Sequence, residues 1–446
     1  MSYWFKGLQE LRHYPSAIVG LTIVGILIAV SVLTVFSMPL DQAIRLWRAG
    51  EGVWEESPRN ASPMLINLWP GNNYPKTIVL RGSFESSSPE LEKGSGGVGR
   101  IRIRLPFTFD YDGFPQDIQI FYTSRYEKSP PHATFIWRTP DGREIDLGSR
   151  TLRQSGTYSV TQNQELASRL ESDPRIGLFS RPNSKQNSPL KGEYELVIQG
   201  YVFDAQSRIE AKAVAYGQVH GLAGTDHRRR SLTVALLWGT PVALAFGVLA
   251  ALGSTLSTLV IASIGVWFGG WVDAAIQRIT EINAILPVLP LLVLIGTLYS
   301  RSIWVMLGVV ILLGIFSLGV KVYRAMLLPI KNAPYIEAAR AYGAGNMRIV
   351  FFYLTPRVIP VIVPQLVTLI PTFVFLEATL ALLGLGDPLL PTWGKVLQDA
   401  FQQGALYKGY YYWVLGPAFL LMFTGLGFAM VGFALDRIFN PRLREY

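Results

Sequence analysis

The stretch that decides the fold is Leu232–Phe268, LTVALLWGTPVALAFGVLAALGSTLSTLVIASIGVWF, 37 residues without an Asp, Glu, Lys or Arg. A bilayer core of about 30 Å takes about 20 apolar residues as a helix. The run is therefore too long for one upright span. Gly239-Thr240-Pro241 divides it on this reading, because proline lacks the N–H that a helix interior needs. The expectation is a short interfacial helix over 231–238, then a span ending at Phe268. Outward from it lie further apolar runs at 17–36, 275–298, 303–320, 358–385 and 413–435. That makes six expected spans. A cleaved signal peptide competes for the first run. The run is long for such a segment and no A-x-A site follows it, which favours an uncleaved anchor.

Composition agrees. Half of the 446 residues are hydrophobic and only 16% are charged, against about 25% in an ordinary soluble domain. There is no cysteine, which removes disulfides, thiolate zinc sites and cysteine nucleophiles together. Four histidines make a His-rich metal centre a poor reading. His220 and His227 share no helix, since Gly221 and Gly224 intervene. No G-x-x-x-x-G-K-[ST] phosphate loop occurs, and no Ser/His/Asp or His/Glu set has usable spacing. The expectation is no catalytic residue, no metal and no cofactor on this chain.

The formal charge is +9. Residues 38–219 hold 22 basic and 21 acidic side chains, so the surplus sits beside the apolar runs. Positive-inside loops explain this better than nucleic-acid binding does. Lys321, Arg324, Lys331, Arg340, Arg348 and Arg357 face Glu337 alone in the 321–357 loop, which should be cytoplasmic. Six spans then put both termini in the cytoplasm and 38–219 outside. Arg228-Arg229-Arg230 would lie outside too. It ends a long translocated domain, where the rule is weak; snorkelling to lipid headgroups is a second option.

Residues 38–219 have a different texture. Ile101, Ile103, Leu105, Phe107 and Phe109 alternate with Arg100, Arg102, Arg104 and Thr108, the period of a half-buried strand. Ile118, Ile120 and Tyr122 repeat the pattern, as do Tyr194, Leu196 and Ile198. Pro140-Asp141-Gly142 marks a hairpin turn. The stretches 85–97 and 181–192 read as mobile loops. The expectation is a β-sandwich.

Inside the 321–357 loop, Tyr335-Ile336-Glu337-Ala338-Ala339-Arg340-Ala341-Tyr342-Gly343 has a proline before it and a glycine at its end. These are start and stop signals for a short helix. Adjacent alanines give it a low relief, so another protein can approach its backbone. Met347 to Phe352 reads as a second amphipathic element that returns to the membrane at Pro356. A plain solvated connector is the alternative. Glu377, in the fifth run, is a carboxylate in hydrocarbon. It is either a pathway or gating contact, or a hydrogen bond that ties helices together.

Glu337-Ala338-Ala339, Gly343 and Pro356 together resemble the signature loop of ABC-importer permeases, with Tyr353 and Thr355 departing from its tail. Four further segments resemble the second permease subunit of the dipeptide/oligopeptide/nickel class. They are Gly224-Thr225-Asp226; Phe268 to Asp273 with Arg278 and Pro287; Leu383 to Gly386 with Pro391-Thr392-Trp393-Gly394; and Asn440 to Leu443. Ala223 and the Arg229-Arg230-Ser231 that follows depart from that pattern. The resemblance covers about 220 to the C-terminus and leaves the β segment unexplained.

It implies an α-helical polytopic membrane protein of six transmembrane helices, like a type I ABC importer permease, with an inserted extracytoplasmic all-β domain. The expected division is 1–37, 38–219 and 220–446. In the family the 321–357 loop couples to an ATPase. Implied partners are a homologous permease subunit, two ATPase subunits holding ATP and Mg, an extracytoplasmic substrate-binding protein and the lipid bilayer. The implied place is a bacterial cytoplasmic (inner) membrane, and the implied cargo is peptides or a related small solute. Gly224, Thr225 and Asp226 would be an outer-side motif. A secondary carrier without an ATPase, or a membrane-anchored binding or sensory protein, are the alternatives.

Overall fold

The computed structural model describes residues 15–50, 52–85, 99–181, 188–203 and 207–439. The chain forms two compact units, Met1–Arg48 with Val234–Tyr446, and Ala49–Thr233. The division thus falls at 48/49 and 233/234, and the β unit runs past Val219 to take in the Gly224–Arg230 segment.

The helical unit opens with α1 (Pro15–Ser37) and the short α2 (Leu40–Arg48). The β unit carries eight strands among the described residues: β1 (Ile78–Glu85), β2 (Gly99–Phe109), β3 (Asp117–Arg125), β4 (His132–Arg138), β5 (Glu144–Thr151), β6 (Ser155–Ser159), β7 (Gly192–Val202) and β8 (Arg208–Tyr216). They form two four-stranded sheets, β1-β8-β3-β6 and β2-β7-β4-β5, with every pair antiparallel. Ile101, Ile103, Leu105 and Phe109 of β2 point into the core, as their alternation requires. Trp137, Phe179, Tyr194 and Phe109 cluster there, with ring centroids from 4.5 to 6.2 Å apart. Each such pair adds about 0.5–1.5 kcal/mol beyond area burial. The β4–β5 hairpin turns at Pro140-Asp141-Gly142, where Gly142 takes φ +84°. Two short helices, α3 (Gln164–Leu170) and α4 (Pro174–Gly177), sit between β6 and β7. Of the expected loops, 86–97 and 182–187 lie outside the described residues, as does the Asn440 to Leu443 tail.

The remaining helices belong to the helical unit. They are α5 (Leu232–Phe268), α6 (Gly270–Ile285), α7 (Val288–Leu298), α8 (Ile303–Ile315), α9 (Gly319–Lys331), α10 (Pro334–Ala341), α11 (Asn346–Ile349), α12 (Ile359–Leu380), α13 (Trp393–Gln402) and α14 (Tyr411–Phe439). α1, α5, α12 with its continuation to Leu385, and α14 are each long and apolar enough to cross a membrane. The pairs α6–α7 and α8–α9 reach that length together, bent by 77° and 47°. Four to six candidate spans result.

The helix crossings use small residues, since lipid gives apolar side chains no reason to prefer each other. A Cβ on Gly20 of α1 would lie 2.9 Å from the Gly427 carbonyl of α14.

One expectation is corrected. α5 is unbroken from Leu232 to Phe268, with Pro241 inside it, so no separate interfacial helix precedes the span. Membrane helices tolerate proline where neighbours satisfy the backbone. Here Thr240 Oγ1 (3.1 Å) and Trp393 Nε1 (2.9 Å) both donate to the Leu236 carbonyl, one residue before the carbonyl that Pro241 leaves free.

Candidate functional site

α10 is built as its sequence reads. Pro334 opens it. At its end Gly343 takes φ +78°, its N–H donates to the Arg340 carbonyl, and the Ala344 N–H donates to Ala339. This is the Schellman closure, whose left-handed position favours glycine. Ile336 and Ala339 are buried, and Ile336 sits in a core with Trp267, Ile276, Tyr323 and Leu327. Glu337, Ala338, Arg340, Ala341 and Gly343 are exposed, and Tyr342 is 92% exposed. Of the Glu-Ala-Ala triplet, Ala339 anchors the helix while Glu337 and Ala338 face outward.

The segment after it continues this surface. α11 passes into a wider π turn at Val350–Leu354 and a 3-10 turn at Thr355–Arg357. Ile349, Val350 and Leu354 are buried, while Met347, Phe351 and Phe352 are exposed. An open hollow of about 680 Å³ lies between Met347, Arg348, Phe351, Phe352 and Tyr353. Pro356 is exposed, at the turn that leads into α12. The structure therefore gathers Glu337, Ala338, Ala339 and Gly343 on one helix and its cap, and places Pro356 at the return.

Contacts between α6 and α9 that the sequence did not announce brace this region. Arg324 of α9 grips Asp273 of α6 with two nitrogens, at 2.9 and 2.6 Å. Lys321 reaches Glu281 at 3.2 Å. Arg278 pairs with Glu281, as its spacing allows. Arg340 lies over the Trp267 ring and Arg357 over Tyr335, at 5.6 and 4.9 Å.

Gly224, Thr225 and Asp226 occupy a different setting, inside the β unit. Asp226 is fully buried. Its Oδ2 accepts from Arg230 Nε at 2.5 Å, and its Oδ1 accepts the Arg228 and Arg230 N–H groups at 2.8 Å. Thr225 Oγ1 donates to the Pro58 carbonyl and accepts from the Ala61 N–H. Arg229, at φ +66°, stacks 4.1 Å over Tyr216 and donates to the Ser57 carbonyl. Burial raises the Tyr216 phenol to about 12. Arg229 and Arg230 are thus buried polar partners in a folded corner, and the reading of them as headgroup anchors is overturned.

Glu377 is 5% exposed and its carboxyl hydrogen-bonds Thr392. Trp393 is fully buried, and a Cβ on Gly239 would strike its ring at 2.2 Å. A Cβ on Gly394 would lie 2.8 Å from Ala378 Cα. Glu377 of α12 thus lies beside the start of α13, whose Trp393 and Gly394 pack closely on α5 and α12.

Comparison with known proteins fits this architecture. A family described as "Binding-protein-dependent transport system inner membrane component" matches residues 243–445. The oligopeptide transport system permease protein OppC of Bacillus subtilis is 30% identical over 224 residues, 50% of this chain and 72% of that protein. The chain belongs to the binding-protein-dependent ABC permeases. The dipeptide transport system permease protein DppC of the same organism is 28% identical over 223 residues, covering 50% and 69%. The glutathione transport system permease protein GsiD of Pectobacterium atrosepticum is 27% identical over 225 residues, covering 50% and 73%. The permease is a multi-pass inner-membrane protein and a non-catalytic transport subunit. Transport of this type entails an ATPase and a binding protein as partners. The β strands lie wholly outside the matched segment.

Proposed function

We propose that this permease couples ATP hydrolysis on separate ATPase subunits to the import of peptides or a related small solute. The observation that carries the reading is α10: one face buried in the helical unit, the other presenting Glu337, Ala338 and Tyr342 to a partner. In this reading α10 docks on the ATPase, which holds ATP and Mg. A homologous permease completes the pathway, and two ATPases serve the pair. The basic 321–357 segment faces the cytoplasm with both termini. The β unit faces outward, where the substrate-binding protein delivers cargo. ATP shifts the equilibrium between inward- and outward-open states because the ATPase binds it better in one of them. Peptide cargo is supported by the named relatives.

Purification of the tagged chain in mild detergent tests the reading. An ATPase and a second permease should come with it. Glu337→Arg should leave the chain inserted and folded but lose the ATPase. Recovery of the wild-type chain, folded and without an ATPase, would overturn it.

A further inference from the structure

Two candidate spans are broken, and the breaks meet at one side chain. Asn283 lies in the last turn of α6, just before the 77° bend into α7. Its Nδ2 donates to the carbonyls of Leu313 (3.0 Å) and Phe316 (3.1 Å), at the 47° bend between α8 and α9. Both carbonyls have lost their helical donors. The Ser317 N–H has turned to Gly314, and the Val320 N–H to Ser317. The Gly314 carbonyl also receives Thr258 Oγ1 of α5, at 2.9 Å. Irregular backbone at membrane depth persists only where protein or a water-filled cavity satisfies it. Side chains from two neighbouring helices do so here.

Past the breaks, one half of the region is braced. Arg324–Asp273 and Lys321–Glu281 tie α9 to α6, and Lys331 Nζ donates to the Val266 carbonyl at the end of α5. Ile336 of α10 shares a core with Tyr323 and Leu327 of α9 and Ile276 of α6. Across the breaks, Leu292 of α7 and Met306, Leu307 and Val310 of α8 pack in a separate core.

We propose that Asn283 is the positioning residue of a double hinge, in which α6, α9 and α10 move as one body against α7 and α8. The bends at 286–287 and 316–318 absorb the angle. Asn283 keeps the freed carbonyls paired while the angle changes, so the break does not re-form as straight helix. This rests on α10 being the ATPase contact, and it adds where that contact's motion is taken up.

The chain lacks cysteine, so an introduced pair, labelled before assembly with the other subunits, carries its only thiols. Leu312→Cys and Val322→Cys, both on exposed positions, bracket the α8–α9 break. Spin-label distances are measured in the full reconstituted transporter, nucleotide-free and trapped with ATP and vanadate. The expected result is a distance shift between the two states. Asn283→Leu should shrink that shift and lower transport per ATP hydrolysed, with basal hydrolysis retained. If Asn283→Leu does not fold, Thr258→Val, which removes the other donor, is read the same way. An unchanged distance in a wild-type transporter that still transports overturns the hinge and leaves the importer reading intact. So does a folded Asn283→Leu with normal shift and coupling. Absence of any ATP-driven transport counts against the importer reading itself.

Discussion

The two units each bury a carboxylate, and they handle it differently. In the β unit, Asp226 is neutralised within one turn of chain, by the Arg230 side chain and two backbone N–H groups. In the helical unit, Glu377 has a neutral partner, the Thr392 hydroxyl, brought to it by the return of a different element. The same contrast runs through the backbone. Sheet ladders satisfy most of the β unit, in regular register along β2–β7 and β3–β8. The helical unit leaves gaps at its breaks and fills them with Asn283 and Thr258. A folding unit in water can build its polar contacts locally. One in lipid must import donors from neighbouring helices, because no water stands ready to replace them.

The largest test of this contrast removes the β unit's charge pair. Arg230→Met leaves Asp226 buried with its side-chain partner gone, which costs about 3–5 kcal/mol. The β unit's thermal transition should fall steeply while the helical unit keeps its helical circular dichroism. Next comes close packing. Gly239→Ala drives a methyl into the Trp393 ring, and overpacking costs about 1–3 kcal/mol. Detergent stability of the helical unit should drop and α13 should become accessible to protease. Gly343→Ala is milder. No atom lies within 4 Å of the added Cβ, so the cost is the left-handed φ alone, about 1–2 kcal/mol. The helix should fray at its end, and ATPase coupling should weaken with insertion unchanged.

The smallest effect is in pH. Burial pushes the His220 imidazole below its usual 6.5, so the unfolded chain binds its proton more readily. Its contribution to β-unit stability is complete above about 6.5 and declines as the pH falls below that value. His220→Gln should flatten the pH dependence of the β unit's melting temperature between 7 and 5. An unchanged slope would remove His220 from the account.

Much of this was legible in the chain. Strict alternation from Ile101 to Phe109 identified a half-buried strand, because strand side chains alternate between faces whatever they pack on. Pro334 and Gly343 bounded α10, because its ends are set by backbone chemistry carried in those residues. The Glu337 to Gly343 part of the family motif lay on one helix and its cap, so it survived as a contiguous signal.

Other features had no sequence signal of their own. Gly239-Thr240-Pro241 reads as a break, yet α5 runs through it, with Trp393, from more than 150 residues away, packed there and donating to the neighbouring Leu236 carbonyl. Arg229 and Arg230 read as surface cations until Tyr216, Ser57 and Asp226 are placed around them. The bend after Ile315 contains no proline and exists where Asn283 and Thr258 hold its carbonyls. By itself the sequence determined which segments are apolar, which alternate and where local caps fall, since these depend on near neighbours along the chain. Tertiary structure decided which helices stay straight, which break and which charges go inside. Those outcomes turn on donors and acceptors supplied by distant residues, and only folding brings them within reach.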